Sequence, residues 1–251
     1  MATTQQAIDT KYDYYLALRD EKLKTLFSPA ILGWARQNGL NTFENMVNYA
    51  GTLDFSSRHL KTLNGLDLLK ALTYLNLASN QLTDVGNLSG LTALTHLYLD
   101  NNQLTNIGDL SGLTALTYLY LYNNQLTDVG NLSGLTALTY LHLASNQLTD
   151  VGNLSGLTAL TYLNLYNNQL TDIGDLSGLT ALTTLYLNNN NFATAQVDKV
   201  LADMHTAYDA TVKIATINLS GANMGIPTGG VNNADYVYLT NAGVSVTIRT
   251  V

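Results

Sequence analysis

The chain contains no cysteine in 251 residues, which excludes a disulfide framework, a thiolate metal site and a cysteine nucleophile. Basic charge is missing from its middle. Residues 71–198 hold no lysine or arginine, and eight of the eleven basic residues stand at or before Lys70. A nucleic-acid partner needs a basic stripe to displace counterions, and an anionic membrane surface needs the same, so neither partner is expected. No apolar run approaches the roughly 18 residues that span a bilayer. The opening MATTQQAIDTKYDYY lacks the basic-then-apolar layout of a secretory signal, which fits a cytoplasmic chain, a trimmed mature form or another route of exit. No glycine-rich phosphate loop or nucleophile motif is present, and no cofactor is expected.

What is present is one phrase written six times. LTYLNLASNQLTDVGNLSGLTA begins at Leu72 and restarts at Leu94, Leu116, Leu138, Leu160 and Leu182, every 22 residues without insertion or deletion. Its frame of Leu72, Leu75, Leu77, Asn80 and Leu82 is the L-x-x-L-x-L-x-x-N-x-L pattern of a leucine-rich repeat solenoid. The expected fold is therefore an α/β repeat, a curved parallel sheet with a helical N-terminal cap and an α/β C-terminal cap. Its divisions fall at 1–49, 50–192 and 193–251. Residues 50–71 form a worn first coil in which Leu53, Phe55 and Leu60 keep the frame and Arg58 replaces the asparagine. In each coil Leu75 and Leu77 point inward and Tyr74, Asn76 and Ala78 outward. Asn80, Asn102, Asn124, Asn146, Asn168 and Asn190 form a ladder that satisfies backbone groups. On the return, Asp84, Asp128, Asp150 and Asp172 are turn residues, and Gly86 and Gly90 are expected at positive φ. The N-L-S sequences at Asn87, Asn131, Asn153 and Asn218 read as products of repeat architecture rather than glycosylation sites.

Both flanks read as caps, which shield the apolar ends of a solenoid. At the N-terminus helices are expected over Thr4–Phe27, from Ser28-Pro29 to Gly39, and from Asn41 (with Glu44 as a capping-box variant) towards Gly51. Trp34 closes the first coil. At the other end Thr194 caps a helix over Ala195–Tyr208, and Ile214, Ile217 and Leu219 restore the strand frame. Turns follow at Gly221–Asn223 and Ile226–Gly230. The final eight residues alternate as an edge strand that Arg249 blunts.

The run L-x-x-L-T-x-L-x-L-x-x-N-x-L-T-D-[IV] resembles the 22-residue repeats of bacterial internalin-type leucine-rich proteins over roughly residues 50–192, although internalins usually carry proline where Gly86 and Gly108 stand here. The C-terminal flank is similar to caps of bacterial and phage-encoded leucine-rich proteins. That resemblance implies surface adhesion or recognition, in an extracellular, cell-surface or virion-associated setting, and it implies binding rather than catalysis.

Against this copied frame one set of positions varies. Along the sheet the outward residues are Tyr74, Asn76, Ala78; His96, Tyr98, Asp100; Tyr118, Tyr120, Tyr122; Tyr140, His142, Ala144; Tyr162, Asn164, Tyr166; and Thr184, Tyr186, Asn188. Packing between β-formers explains part of this, but a solvated sheet does not need tyrosine for stability. Tyrosine among small polar residues is the composition of a binding paratope. The expected hot spot is Tyr118, Tyr120 and Tyr122, flanked by Tyr98 and Tyr140. The varying residues Asn, Tyr, His, Asp, Thr and Ala are all reachable from an A-A-pyrimidine codon by changing its adenines, as a mutator aimed at adenines would do. His96 and His142 lie two coils apart, roughly 10 Å by strand spacing, too far to share a metal ion, and Asp100 has no carboxylate partner among these positions. The expected function is non-enzymatic ligand binding by a monomer, with a protein as the first candidate ligand. A glycan is the second, and a structural spacer or designed scaffold the third.

Overall fold

The computed structural model describes residues 28–40, 43–210, 216–220, 228, 233–242 and 244–248. The helix expected over Thr4–Phe27, the Asn41 cap, Ile214, the Gly221–Asn223 turn, all of Ile226–Gly230 except Thr228, and Arg249 lie outside these residues.

Among the described residues nine short strands stack in sequence order into one parallel sheet: β1 (Thr52–Asp54), β2 (Tyr74–Asn76), β3 (His96–Tyr98), β4 (Tyr118–Tyr120), β5 (Tyr140–His142), β6 (Tyr162–Asn164), β7 (Thr184–Tyr186), β8 (Thr216–Leu219) and β9 (Ser245–Ile248). From β1 to β7 each residue pairs with the one 22 positions later, as in Leu97↔Leu119. The sequence period is thus the sheet register. The inward leucines are completely buried, and Leu82, Val85, Leu88, Leu91 and Leu94 of the return complete the core of one coil. The return is built from i→i+3 bonds, such as Leu91 N to Leu88 O at 3.0 Å and Leu94 N to Leu91 O at 2.9 Å.

Two polar ladders tie coil to coil. Asn102 Oδ1 accepts from Leu82 N at 3.1 Å, while its Nδ2 donates to Leu77 O at 3.0 Å and Leu99 O at 3.1 Å. Two of those partners belong to the preceding coil, so the asparagine is dispensable where no such coil precedes, as at Arg58. A second ladder, unread in the sequence, runs through the threonine ahead of each strand. Thr95 Oγ1 donates to Thr73 O at 2.8 Å, and Thr117, Thr139, Thr161 and Thr183 repeat the bond.

Gly86 takes the expected positive φ of 68°, and its N–H bonds Asp84 Oδ1 at 2.6 Å. Gly90 and its counterparts do not: the positive-φ glycines include Gly86, Gly108, Gly130, Gly152 and Gly174 but not these. Close approach requires the glycine at Gly112, Gly134 and Gly178, where a Cβ on Gly178 would lie 2.7 Å from Ser155 O of the preceding coil, whereas one on Gly90 would meet its nearest atom at an ordinary 3.4 Å. Asn87 Oδ1 accepts from Ser89 N at 2.9 Å and Ser89 Oγ at 2.7 Å. Asp109 and Asp175 do the same work, so the position needs only an acceptor oxygen.

Helix α1 (Pro29–Gln37) starts at Ser28 and ends before Gly39 at φ 71°, as expected, but the Ser28 side chain makes no capping bond. The shorter α2 (Phe43–Val47) stops well before Gly51. Trp34 meets Tyr49 edge-on with centroids 5.0 Å apart and Phe55 at 6.5 Å, across the open end of the first coil. At the far end α3 (Thr194–Ala210) includes Thr194 as its first residue, and Ala193 O takes the first helical bonds in place of the expected threonine cap. Val197, Val200, Leu201 and Met204 bury against the last coil. A further helix, α4 (Ala234–Asn241), unread in the sequence, precedes β9.

Candidate binding surface

Alternation along each strand puts every second side chain on the open concave face. Tyr74 and Asn76 leave from β2, His96 and Tyr98 from β3, Tyr118 and Tyr120 from β4, Tyr140 and His142 from β5, Tyr162 and Asn164 from β6, and Thr184 and Tyr186 from β7. Asp100, Tyr122, Tyr166 and Asn188 each lie two residues past the end of their strand, where the ladder continues through bonds such as Leu99 N to Tyr120 O at 2.9 Å. The face is longer than the six repeats. The β1 register adds Thr52 and Asp54, and the β8 register adds Thr216 and Asn218. The flanking frame residues Leu53, Phe55, Ile217 and Leu219 were the sequence signal for these positions.

Parallel in-register strands bring like positions close together, and the rings respond by stacking. Tyr98 lies 4.6 Å from Tyr120 at 13°, Tyr120 lies 4.8 Å from Tyr140, and Tyr140 lies 4.2 Å from Tyr162 at 1°. Tyr74 joins at one end and Tyr186 at the other, more tilted. A parallel pair, His96 and Tyr118, stacks alongside at 4.6 Å, and Tyr122 meets His142 at 4.7 Å. One continuous strip of rings therefore crosses six coils. Tyr166, 37% exposed, stands apart from it, as do Asn76, Thr184 and Asn188. Tyr120 and Tyr140 are sandwiched within the strip, whereas Tyr118 is exposed at its margin.

Burial raises the phenol pKa values of Tyr98, Tyr120, Tyr122 and Tyr140 above the ordinary tyrosine range, with neighbouring phenols adding to the effect. These four phenols therefore stay neutral at physiological pH. Burial also pushes the His142 imidazole below its usual value, opposed by the charge of Asp100. Asp100 is only 5% exposed. Its carboxylate accepts from Asn101 Nδ2 at 2.8 Å, and Asn123 Nδ2 in turn donates to Asn101 Oδ1 at 2.9 Å. Among the described residues no three metal-ligating side chains cluster.

Residues 70–112, 114–156 and 158–197 match the family model described as leucine-rich repeats (two copies). Several solved structures are similar. The functional domain of InlJ from Listeria monocytogenes shares 28% identity and a TM-score of 0.62, over 82% of this chain and 40% of that one. Internalin C2 from Listeria monocytogenes shares 29% identity and a TM-score of 0.64, over 83% of this chain and 84% of that one. The internalin InlF of the same organism, at 24% identity and a TM-score of 0.57, covers 82% of this chain and 63% of its own, and supports the fold alone. No curated protein matches the sequence.

Proposed function

The chain belongs to the leucine-rich repeat family, in its bacterial internalin type, and carries a protein-interaction repeat module; from that premise we propose that its concave tyrosine strip binds a protein without catalysing a reaction. One observation carries this reading. Residue identity changes along the exposed face of β2–β7, while the buried frame is copied from coil to coil. Stacked rings have lost their rotamer freedom before any partner arrives, so less entropy remains to be lost on binding.

A glycan is the weaker candidate. Sugars stack through their C–H faces on free ring faces, and both faces of Tyr120 and Tyr140 are occupied by neighbouring tyrosines. Capture from an extracellular protein preparation, run beside a glycan array, tests the choice using wild type and a Tyr120→Ser/Tyr140→Ser double variant. Proteins held by wild type should be released at least tenfold faster by the variant. Capture equal on both surfaces, or tyrosine-dependent binding to the array alone, would sink the proposal.

A further inference from the structure

We infer that the concave face receives a basic side chain of its partner, an arginine by preference, at Asp100. This rests on the reading of that face as a protein-binding surface. Asp100 is the only charged residue at the outward positions of β2–β7, and it is 95% buried there. Aspartate is almost never buried so far without a pairing group. A carboxylate offers about four acceptor sites, yet among the described residues one neutral amide, Asn101 Nδ2, bonds it at normal length, with the Tyr122 phenol set against it. Residues 71–198 supply no lysine or arginine. The neighbouring imidazole of His142 is held neutral by its own burial. From Ala71 to Phe192 the solenoid carries seven aspartates and no basic residue, so its field attracts cations and contains none.

The rest of the strip offers a cation nothing comparable. Cation–π contact needs a free ring face within about 6 Å of the charge, and the central rings spend both faces on one another. Asp54, on the same face in the first coil, is exposed to water and bonded to Ser56 N at 2.9 Å. The Asp100 carboxylate is instead oriented from behind. Asn101, in the left-handed region at φ 54°, holds Oδ2, and Asn123 of the next coil, also at φ 54°, holds Asn101. A carboxylate fixed in that way suits the planar fork of a guanidinium, which pairs with it through two parallel N–H···O bonds.

The probe is the blocked tripeptide acetyl-Gly-Arg-Gly-amide, titrated into the whole chain while the ring signals of Tyr122 and His142 are followed by NMR. The same tripeptide with lysine or with citrulline serves for comparison. Saturable shifts are expected with arginine, weaker ones with lysine, and at least tenfold weaker binding with citrulline, which keeps the shape and loses the charge. Asp100→Asn should reduce arginine binding at least tenfold. It should also leave Tm unchanged or raise it, because a buried charge is removed. Should that variant fold poorly, Asp100→Ala, the residue at the equivalent positions 78 and 144, takes the same test. Equal binding of arginine and citrulline, or undiminished binding by the folded variant, overturns the inference. The protein-binding reading fails separately: it stands if the arginine probe is ignored while Tyr120→Ser/Tyr140→Ser still abolishes protein capture.

Discussion

Single side chains in this molecule act on more than one coil. Asn124 Oδ1 accepts from Leu104 N at 3.0 Å, and Nδ2 donates to Leu99 O at 3.0 Å and to Leu121 O at 3.1 Å. Alanine there would leave one buried donor, Leu104 N, unpaired, and would remove one of the two amide donors that serve each of Leu99 O and Leu121 O, which Asn102 and Asn146 still reach. An unpaired buried donor costs about 1–3 kcal/mol and each lost hydrogen bond about 1 kcal/mol before relaxation, so Asn124→Ala is expected to lower unfolding stability by about 3 kcal/mol in urea titrations. A loss under 1 kcal/mol would mean that water replaces the amide. His142 gives the residue scale a pH dependence. Its folded pKa is depressed by burial, so below the ordinary histidine value of about 6.5 the unfolded chain binds more protons and stability falls on acidification. The contribution is fully present above that value and is lost as pH drops through the window beneath it. The urea midpoint of wild type should fall further between pH 7.5 and pH 5 than that of His142→Asn, since asparagine already occupies the equivalent positions 76 and 164. The low-lying carboxyls Asp109 and Asp175, held down by hydrogen bonds from Ser111 and Ser177, titrate below this window.

At the scale of the coil, two glycines four residues apart in the repeat do different work. Gly86 has open space around its Cα and needs only its left-handed φ, whereas Gly178 faces a carbonyl of the coil before it. Gly86→Ala should therefore cost about 1 kcal/mol, the strain of a left-handed alanine, and Gly86→Asn less, because asparagine tolerates that conformation. Gly178→Ala should cost more, since neighbouring coils must part along the sheet. Urea denaturation of the three variants orders them, and an equal cost for both alanines would remove the distinction. The sequence suggested positive φ at both Gly86 and Gly90, which holds at the first alone, because period cannot separate a φ requirement from a contact with another coil. It displayed the strands, the inward leucines and the asparagine ladder directly, since each repeats at the spacing that stacks them. The threonine ladder was equally periodic but went unread, because threonine on a solvated edge needs no explanation. Helix α4 was hidden by its composition: ADYVYLTN mixes β-formers with helix-formers, and its partners are α3 and β9 rather than a repeat. The outward positions were legible as a set. Ring stacking and the burial of Asp100 were not, because both depend on which side chains meet across coils.

Across the whole molecule, charge of one sign is laid along a rod. Asp84, Asp128, Asp150 and Asp172 recur at one return position, and Asp109 and Asp175 at another, with no basic residue between 71 and 198 to offset them. These carboxylates are exposed, and their mutual repulsion reaches along the stack at low ionic strength, where the Debye length is about 30 Å at 0.01 M, and shrinks to about 8 Å at 0.15 M. Tm should therefore rise as salt is raised over that range. The inferred pairing of Asp100 with a basic group responds in the opposite direction, because screening weakens attraction between the acidic solenoid and an approaching cation. Salt thus separates two effects that share one cause. The same titration from 0.01 M to 0.15 M sodium chloride should raise Tm while weakening affinity for the arginine tripeptide. For Asp100→Asn the rise in Tm should persist, since the return-side aspartates remain, while the salt dependence of binding should largely vanish. If affinity and Tm instead moved together in wild type, binding would be following fold stability, and the electrostatic role of Asp100 would be excluded.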